Sequence, residues 1–219
     1  MPRLLFEKTG LAIYISHLDL MRLFQRTFKR AGLHLTHTQG YNPRPSVSIV
    51  MPLSVGVESR CELLDFTLDG DSVSDEEIKE RLNQALVPGI RVLQVYQDGS
   101  KTKSLAYLDC EVFLEYDTGV PKDARERVEE LFAKPSLLVE KRGKNGVTEQ
   151  DIIPMICSMD VKQENENTLV FHTRVCCQNP SLNPAQLIAA IEKYLPECKP
   201  DFSRCCRCEI YNTEESIFR

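Results

Sequence analysis

Y-I-S-H-L-D-L-M-R-L-F-Q-R-T-F-K-R-A-G-L-H-L-T-H-T-Q-G-Y-N-P-R-P, residues 14–45, is the stretch from which the fold and surface of this chain are read first. Ser16 precedes an apolar-periodic run and Asp19 follows three residues on, a capping-box-like pair that satisfies backbone N–H groups left unpaired at a helix start. A helix therefore begins here. Leu20, Met21, Phe24, Phe28 and Ala31 recur at three- and four-residue steps as its buried stripe, and Gly32 ends it as the C-terminal cap. At about 100° per residue, Arg22, Arg26 and Lys29 stack on the opposite face, with Arg30 beside them and Asp19 as the only acid. Such a basic ridge is either a solvated face or a track for a polyanion.

The segment after the helix favours the second reading. It holds His34, His37, Gln39, Gly40, Tyr41, Asn42 and Arg44, with Pro43 and Pro45 restricting the backbone on either side of the arginine. Arginine offers a planar fork for phosphate, tyrosine a stacking surface, and the amides of Asn42 and Gln39 hydrogen-bond pairs for base edges. The competing reading is an ordinary Pro/Gly turn. His17, at the first helical position, stands beside backbone N–H groups that favour anions, and is expected to share one phosphate or other anionic group with Arg44. Against this, His17 is equally readable as a half-buried histidine closing a strand-to-helix corner.

Working outward, residues 3–8 and 11–15 read as strand segments around Gly10, and residues 47–51 and 63–68 as two further strands. Ser74 caps a second helix over residues 75–86, with Glu77 at the capping-box position and Pro88 and Gly89 stopping it; residues 90–96 close the unit as a strand. The order is β-α-β-β-α-β. Residues 98–104, D-G-S-K-T-K-S, are polar and serve as a linker. Beyond them the pattern repeats: a strand over 105–116, a helix over 122–133, a hairpin of 137–142 and 147–149 turning at Asn145 and Gly146, strands over 152–161 and 168–176, a helix over 183–195, and a last strand over 204–211. The expected fold is α+β, built of tandem ferredoxin-like domains at residues 1–98 and 105–219, with antiparallel sheets and helices on one face.

Charge is unevenly spread. Residues 1–60 carry eight of the chain's 27 Lys and Arg but three of its 32 Asp and Glu, leaving 19 and 29 for the remainder, so a basic front precedes an acidic body. That asymmetry is expected of a protein with one polyanion-facing surface. No run has the length of a membrane span and the N-terminus lacks the apolar core of a signal peptide, so a cytoplasmic location without membrane attachment is expected. Nine cysteines, an odd number that includes adjacent Cys176 and Cys177 and the crowded Cys205, Cys206 and Cys208, argue against a disulfide framework. Cys205 and Cys208 have metal-ligand spacing but lie in a predicted strand without a second spaced pair, so reduced, metal-free thiols and no cofactor are expected.

F-x-K-x-G at Phe6, Lys8 and Gly10, S-H-L-D-L-M-R from Ser16, T-Q-G-Y-N-P-R-P from Thr38 and P-L-S-V-G-V-E-S from Pro52 together resemble the bacterial radical-SAM-linked protein family. The motifs cover about the first sixty residues closely and the rest in layout only. The resemblance implies an intracellular domain of unknown function encoded beside, or fused to, a B12-binding-type radical SAM protein. The three-cysteine iron–sulfur spacing of a radical SAM enzyme is absent from the sequence, so the cluster-bearing catalyst is expected to be the partner.

The resulting expectation is a non-catalytic RNA-binding accessory protein that presents tRNA or rRNA to a radical SAM enzyme. Ser16, His17, Arg22, Arg26, Lys29, Arg30, His37, Gln39, Tyr41, Asn42 and Arg44 would bind RNA or another anion. One alternative is a metal-independent endoribonuclease similar to the CRISPR repeat-cleaving enzymes, with His17 as acid or base; residues 198–219, however, lack the glycines those enzymes carry near the C-terminus. A second alternative is an adaptor whose basic face meets an acidic protein.

Overall fold

Leu4 and Phe6 are fully buried on one side of the first strand while Arg3 and Leu5 occupy the other, and this alternation sets the first sheet in the computed structural model, which describes residues 1–70, 73–143 and 146–219. The chain is a mixed α+β protein with antiparallel strand pairing and four α-helices among the described residues. It divides into two compact units, one of Met1–Ser104 with Phe218–Arg219, the other Leu105–Ile217.

The first unit runs β1 (Arg3–Lys8), α1 (His17–Arg30), β2 (Val47–Ile49), β3 (Glu58–Phe66), α2 (Asp75–Ala85) and β4 (Ile90–Tyr96). Its strands lie in the order β4-β1-β3-β2, every neighbouring pair antiparallel. Phe24 and Phe28 of α1 and Ile78 and Leu82 of α2 pack with Leu4, Phe6, Leu64, Phe66 and Val92 in one core, so both helices cover the same sheet face. The rings are specifically fitted: Phe6 meets Phe24 edge-on at 4.8 Å, and Phe28 lies 5.1 Å from Phe66. Each such phenylalanine contributes about 1.5–3 kcal/mol by leaving water. On the opposite face Arg3 pairs with Asp65 through two hydrogen bonds of 2.6 and 3.2 Å, and its guanidinium stacks 5.3 Å from the Phe218 ring. At the outer edge of the sheet, the Asn83 amide of α2 donates to the Val92 carbonyl at 2.9 Å and accepts from the Val92 N–H at 2.8 Å.

Both helix starts follow from local chemistry. Ser16 Oγ accepts from Asp19 N at 3.2 Å, and Ser74 Oγ accepts from Glu77 N at 3.2 Å. Gly32 follows α1 at φ +68°, the left-handed conformation in which a glycine closes a helix. Residues 11–15 are not the expected strand: a 3-10 turn spans Gly10–Tyr14. Gly10 turns the chain at φ +55°, and the fully buried Lys8 then draws two carbonyls inward, its Nζ donating to Ile13 O at 3.0 Å and Ile15 O at 2.9 Å. β3 also starts earlier than the expected 63–68, at Glu58.

The second unit consists of β5 (Leu105–Glu115), α3 (Ala124–Phe132), β6 (Leu138–Gly143), β7 (Gly146–Asp151), β8 (Ile156–Asn165), β9 (Thr168–Cys176), α4 (Ala185–Tyr194) and β10 (Phe202–Asn212). β6 and β7 form a separate ribbon; the others pair antiparallel in the order β10-β5-β9-β8. Asn145, half of the expected hairpin turn, lies outside the described residues. The ribbon is tied to α4 by Tyr194 OH, which donates to Leu138 O at 2.8 Å. Val112 and Leu114 of β5 are fully buried, whereas Glu111 and Phe113 alternate to the other sheet face, where Phe113 packs with Val170 and Cys206. No helix among the described residues is long and apolar enough to cross a membrane.

Candidate nucleic-acid interface

Helical geometry presents Arg22, Arg26 and Lys29 outward because the opposite stripe of α1 is committed to the core. The three cations differ in how far they are engaged. Arg22 Nη1 donates to Asp19 Oδ1 at 3.0 Å with both side chains exposed. Asp19 is further fixed by the Ser16 hydroxyl, which donates to it at 2.7 Å. That bond first, and Arg22 second, hold the Asp19 carboxyl below its ordinary pKa. Among the described residues no hydrogen bond or ion pair engages the side chains of Arg26, Lys29 or Arg44. Arg30 departs from the ridge: its Nη2 donates to Thr27 Oγ1 at 3.1 Å and to the Ala85 carbonyl at 2.8 Å, tying α1 to the end of α2.

The loop after α1 is a small closed hairpin. Thr38 N donates to Arg44 O at 2.8 Å, Arg44 N donates to Thr38 Oγ1 at 3.0 Å, and His37 bridges Pro45. Its base is anchored where Thr36 N donates to Thr67 O at 2.9 Å and Asp69 N to His34 O at 2.7 Å. Beyond these bonds Gln39, Gly40, Tyr41, Asn42 and Pro43 project into solvent, Tyr41 fully exposed. A tyrosine with nothing packed on it has both faces free for a stacked ring.

Between the hairpin base and the second half of α1 lies a cavity of about 460 Å³. Phe28, Leu33, Leu35 and Pro45 supply its apolar walls, and Gln25, Lys29, His34, His37 and Asp69 its polar groups. The volume falls within the range of about 300–1,000 Å³ spanned by small-molecule pockets. Lys29 is both the last cation of the ridge and part of the cavity wall, so the exposed basic row runs directly to it. Gln25, His34 and Asp69 were not among the sequence-derived site residues. Gln25 sits one turn before Lys29, a spacing that helical periodicity reveals; Asp69 reaches the site through a pairing with His34 that leaves no local pattern.

His17 stands apart from this group. It begins α1, with Nδ1 buried and without a hydrogen-bond partner, whereas the hairpin base adjoins Lys29, twelve residues and about 18 Å further along the helix. Neither His17 nor Arg44 lines the cavity, and among the described residues no hydrogen bond or ion pair joins the two. Nor do Cys205 and Cys208 make a ligand pair. Cys205 lies across from Val112, on the helix-covered face, where burial pushes its thiol up to about 11. Cys208 lies on the opposite face with Glu111 and Cys206.

The fold and site define a two-unit α+β protein of antiparallel sheets that carries a basic helix face leading into a mixed polar and apolar cavity. Residues 2–184 match the family described as "Uncharacterized protein conserved in bacteria (DUF2344)", and the chain belongs to that family. No curated protein matches it. Among solved structures, a chain in the crystal structure of a Cbf5-Nop10-Gar1 complex is similar in fold, with TM-score 0.54, 10% identity and coverage of 95% of this chain and 48% of that one, so this chain spans about half of its length. The crystal structure of an unknown protein from Galdieria sulphuraria aligns at 12% identity over 94% of this chain and 96% of that one, with a TM-score of 0.26.

Proposed function

We propose that the protein is a non-catalytic RNA-binding accessory protein that acts in the cytoplasm and presents tRNA or rRNA to a radical SAM enzyme. The observation that carries this reading is the continuity of the unengaged cations Arg26 and Lys29 with the cavity lined by His34 and His37. Phosphates track along α1, an unpaired base enters the cavity above Phe28 and Leu33, and Tyr41 stacks on a neighbouring base. The radical SAM partner rests on the resemblance of the motifs between Phe6 and Ser59. In each unit, the antiparallel order β4-β1-β3-β2 or its counterpart β10-β5-β9-β8 supports a ferredoxin-like domain, and the two units support a tandem arrangement.

The test is retention of tRNA and rRNA by the purified chain on a filter, followed by electrophoresis of the recovered RNA. Intact RNA retained by the wild type, and lost with Arg22→Glu/Arg26→Glu in a folded protein, is the expected result. Absence of retention at low salt refutes the reading. Shortened RNA replaces it with endoribonuclease chemistry, for which His34 and His37, rather than His17, adjoin the bound base.

A further inference from the structure

The open sheet face of the second unit carries a cluster that the RNA reading does not use. Strand register sets Cys206 of β10 across from Glu111 of β5, and Glu111 across from His172 of β9, so three donor-bearing side chains stand in one row. A register shift between Arg207 and Glu209 places Cys208 beside them. The ligand atoms of Glu111, Cys206 and Cys208 lie within 4.8 Å of one another. On the far side of Glu111, His172 Nδ1 is 3.6 Å from Glu111 Oε1.

We propose that Cys206, Cys208, Glu111 and His172 bind one Zn²⁺ in a closed tetrahedral site. Zinc distances of about 2.3 Å to sulfur and about 2.0–2.2 Å to nitrogen or oxygen set ligand-to-ligand edges of roughly 3.3–3.8 Å. The 3.6 Å His172 to Glu111 separation already falls in that range, and the 4.8 Å group reaches it by a modest inward movement. His172, with its side chain 47% exposed, has room to turn toward the thiols. The donor set is chemically selective: two thiolates and an imidazole favour zinc over magnesium or calcium, which prefer oxygen.

The surroundings suit the ion as well. Glu111, His172 and Cys208 line a cavity of about 400 Å³, and Cys206 packs with Phe113 and Val170 on its apolar side. Cys206 Sγ donates to Arg207 O at 3.6 Å and Cys208 Sγ to Cys206 O at 3.7 Å, long contacts of a weak donor. On binding, both thiols release their protons to solvent, His172 ligates as the neutral imidazole and Glu111 as the carboxylate. All four positions are then filled from the protein. The site is therefore structural, pinning the irregular part of β10 to β5 and β9, and replaces the expectation of metal-free thiols.

The test uses the full chain, stripped with a chelator and titrated first with Co²⁺ and then with Zn²⁺. The wild type is expected to bind one Co²⁺ with a thiolate-to-cobalt charge-transfer band, and to release it to Zn²⁺ with a rise in melting temperature. Cys206→Ser/Cys208→Ser abolishes the band, and Cys205→Ser leaves it intact. His172→Ala alters an exposed side chain and keeps the fold, yet lowers zinc affinity by at least the roughly 10–100-fold that loss of even an outer partner causes. Failure of the wild type to develop the band, its survival without Cys206 and Cys208, or unchanged zinc affinity in His172→Ala overturns the site.

Discussion

Replacing Arg26 and Lys29 together by alanine removes the two cations of α1 that no described residue engages, and leaves Arg22 on the same face. If Arg22, Arg26 and Lys29 each meet one phosphate of a single strand, the logarithm of affinity falls with that of salt concentration at about 0.7 per contact. A fourfold rise in salt, from about 50 to about 200 mM, then weakens wild-type binding about 18-fold and the double variant only about 2.6-fold. Arg22 shares its charge with Asp19 at 3.0 Å, so Arg22→Ala costs less affinity than Arg26→Ala. The assay is filter binding of a single-stranded RNA oligomer across a potassium chloride series. All three side chains are surface cations, so melting should shift by no more than about 0.5 kcal/mol in stability. A variant with wild-type affinity and the wild-type salt slope refutes the assignment of α1 as the phosphate track.

Tyr41→Ala is expected to weaken RNA binding by about 1–3 kcal/mol without altering thermal stability, measured in the same assay and by calorimetry. Gly89→Ala places a Cβ 2.4 Å from Thr9 O at φ +85°, and should destabilise the first unit by more than about 2 kcal/mol in a denaturant melt. Asp65→Ala strands the Arg3 guanidinium, whose side chain is 4% exposed, and should cost about 3–5 kcal/mol by the same melt. Because the folded state depresses the Asp19 pKa, the stability from this carboxylate is complete above about pH 4 and is lost as pH falls through its folded value. A pH series of melts should show that loss in the wild type and its absence in Asp19→Asn.

What was legible in the sequence was local. Ser16 and Ser74 announce helices that begin at the very next residue, because a hydroxyl capping an N–H three residues on needs no distant partner. The α+β composition and the outward row of Arg22, Arg26 and Lys29 follow likewise from periodicity. The misread segment, residues 11–15, has the apolar, β-branched look of a strand, but its shape is imposed by the Lys8 ammonium from the strand before it. Arg30 belonged to the same helical face on paper, yet the Ala85 carbonyl, 55 residues away, claims it. The cavity was half visible: its α1 and hairpin walls lie in one stretch, whereas Asp69 arrives by a pairing no short window contains. Cys206 and Cys208 are two apart in a strand whose alternation is interrupted by a register shift between Arg207 and Glu209, and Glu111 and His172 join them only through pairing with distant strands.

The hydrogen bonds between Asn83 and Val92 have a bearing on how the chain behaves in a crowded solution. β4 is the outermost strand of the first unit's own β4-β1-β3-β2 order, and an outermost strand offers backbone donors and acceptors that invite an extended segment of another molecule. A side-chain amide offers one donor and one acceptor in the same array as a peptide group, so Asn83 serves Val92 as a one-residue stand-in for a neighbouring strand. An incoming peptide must first evict a partner that is tethered to α2 and therefore always at hand. Loss of that amide, as in Asn83→Leu, should consequently show itself less in the melting temperature than in the protein concentration at which chains begin to associate edge to edge.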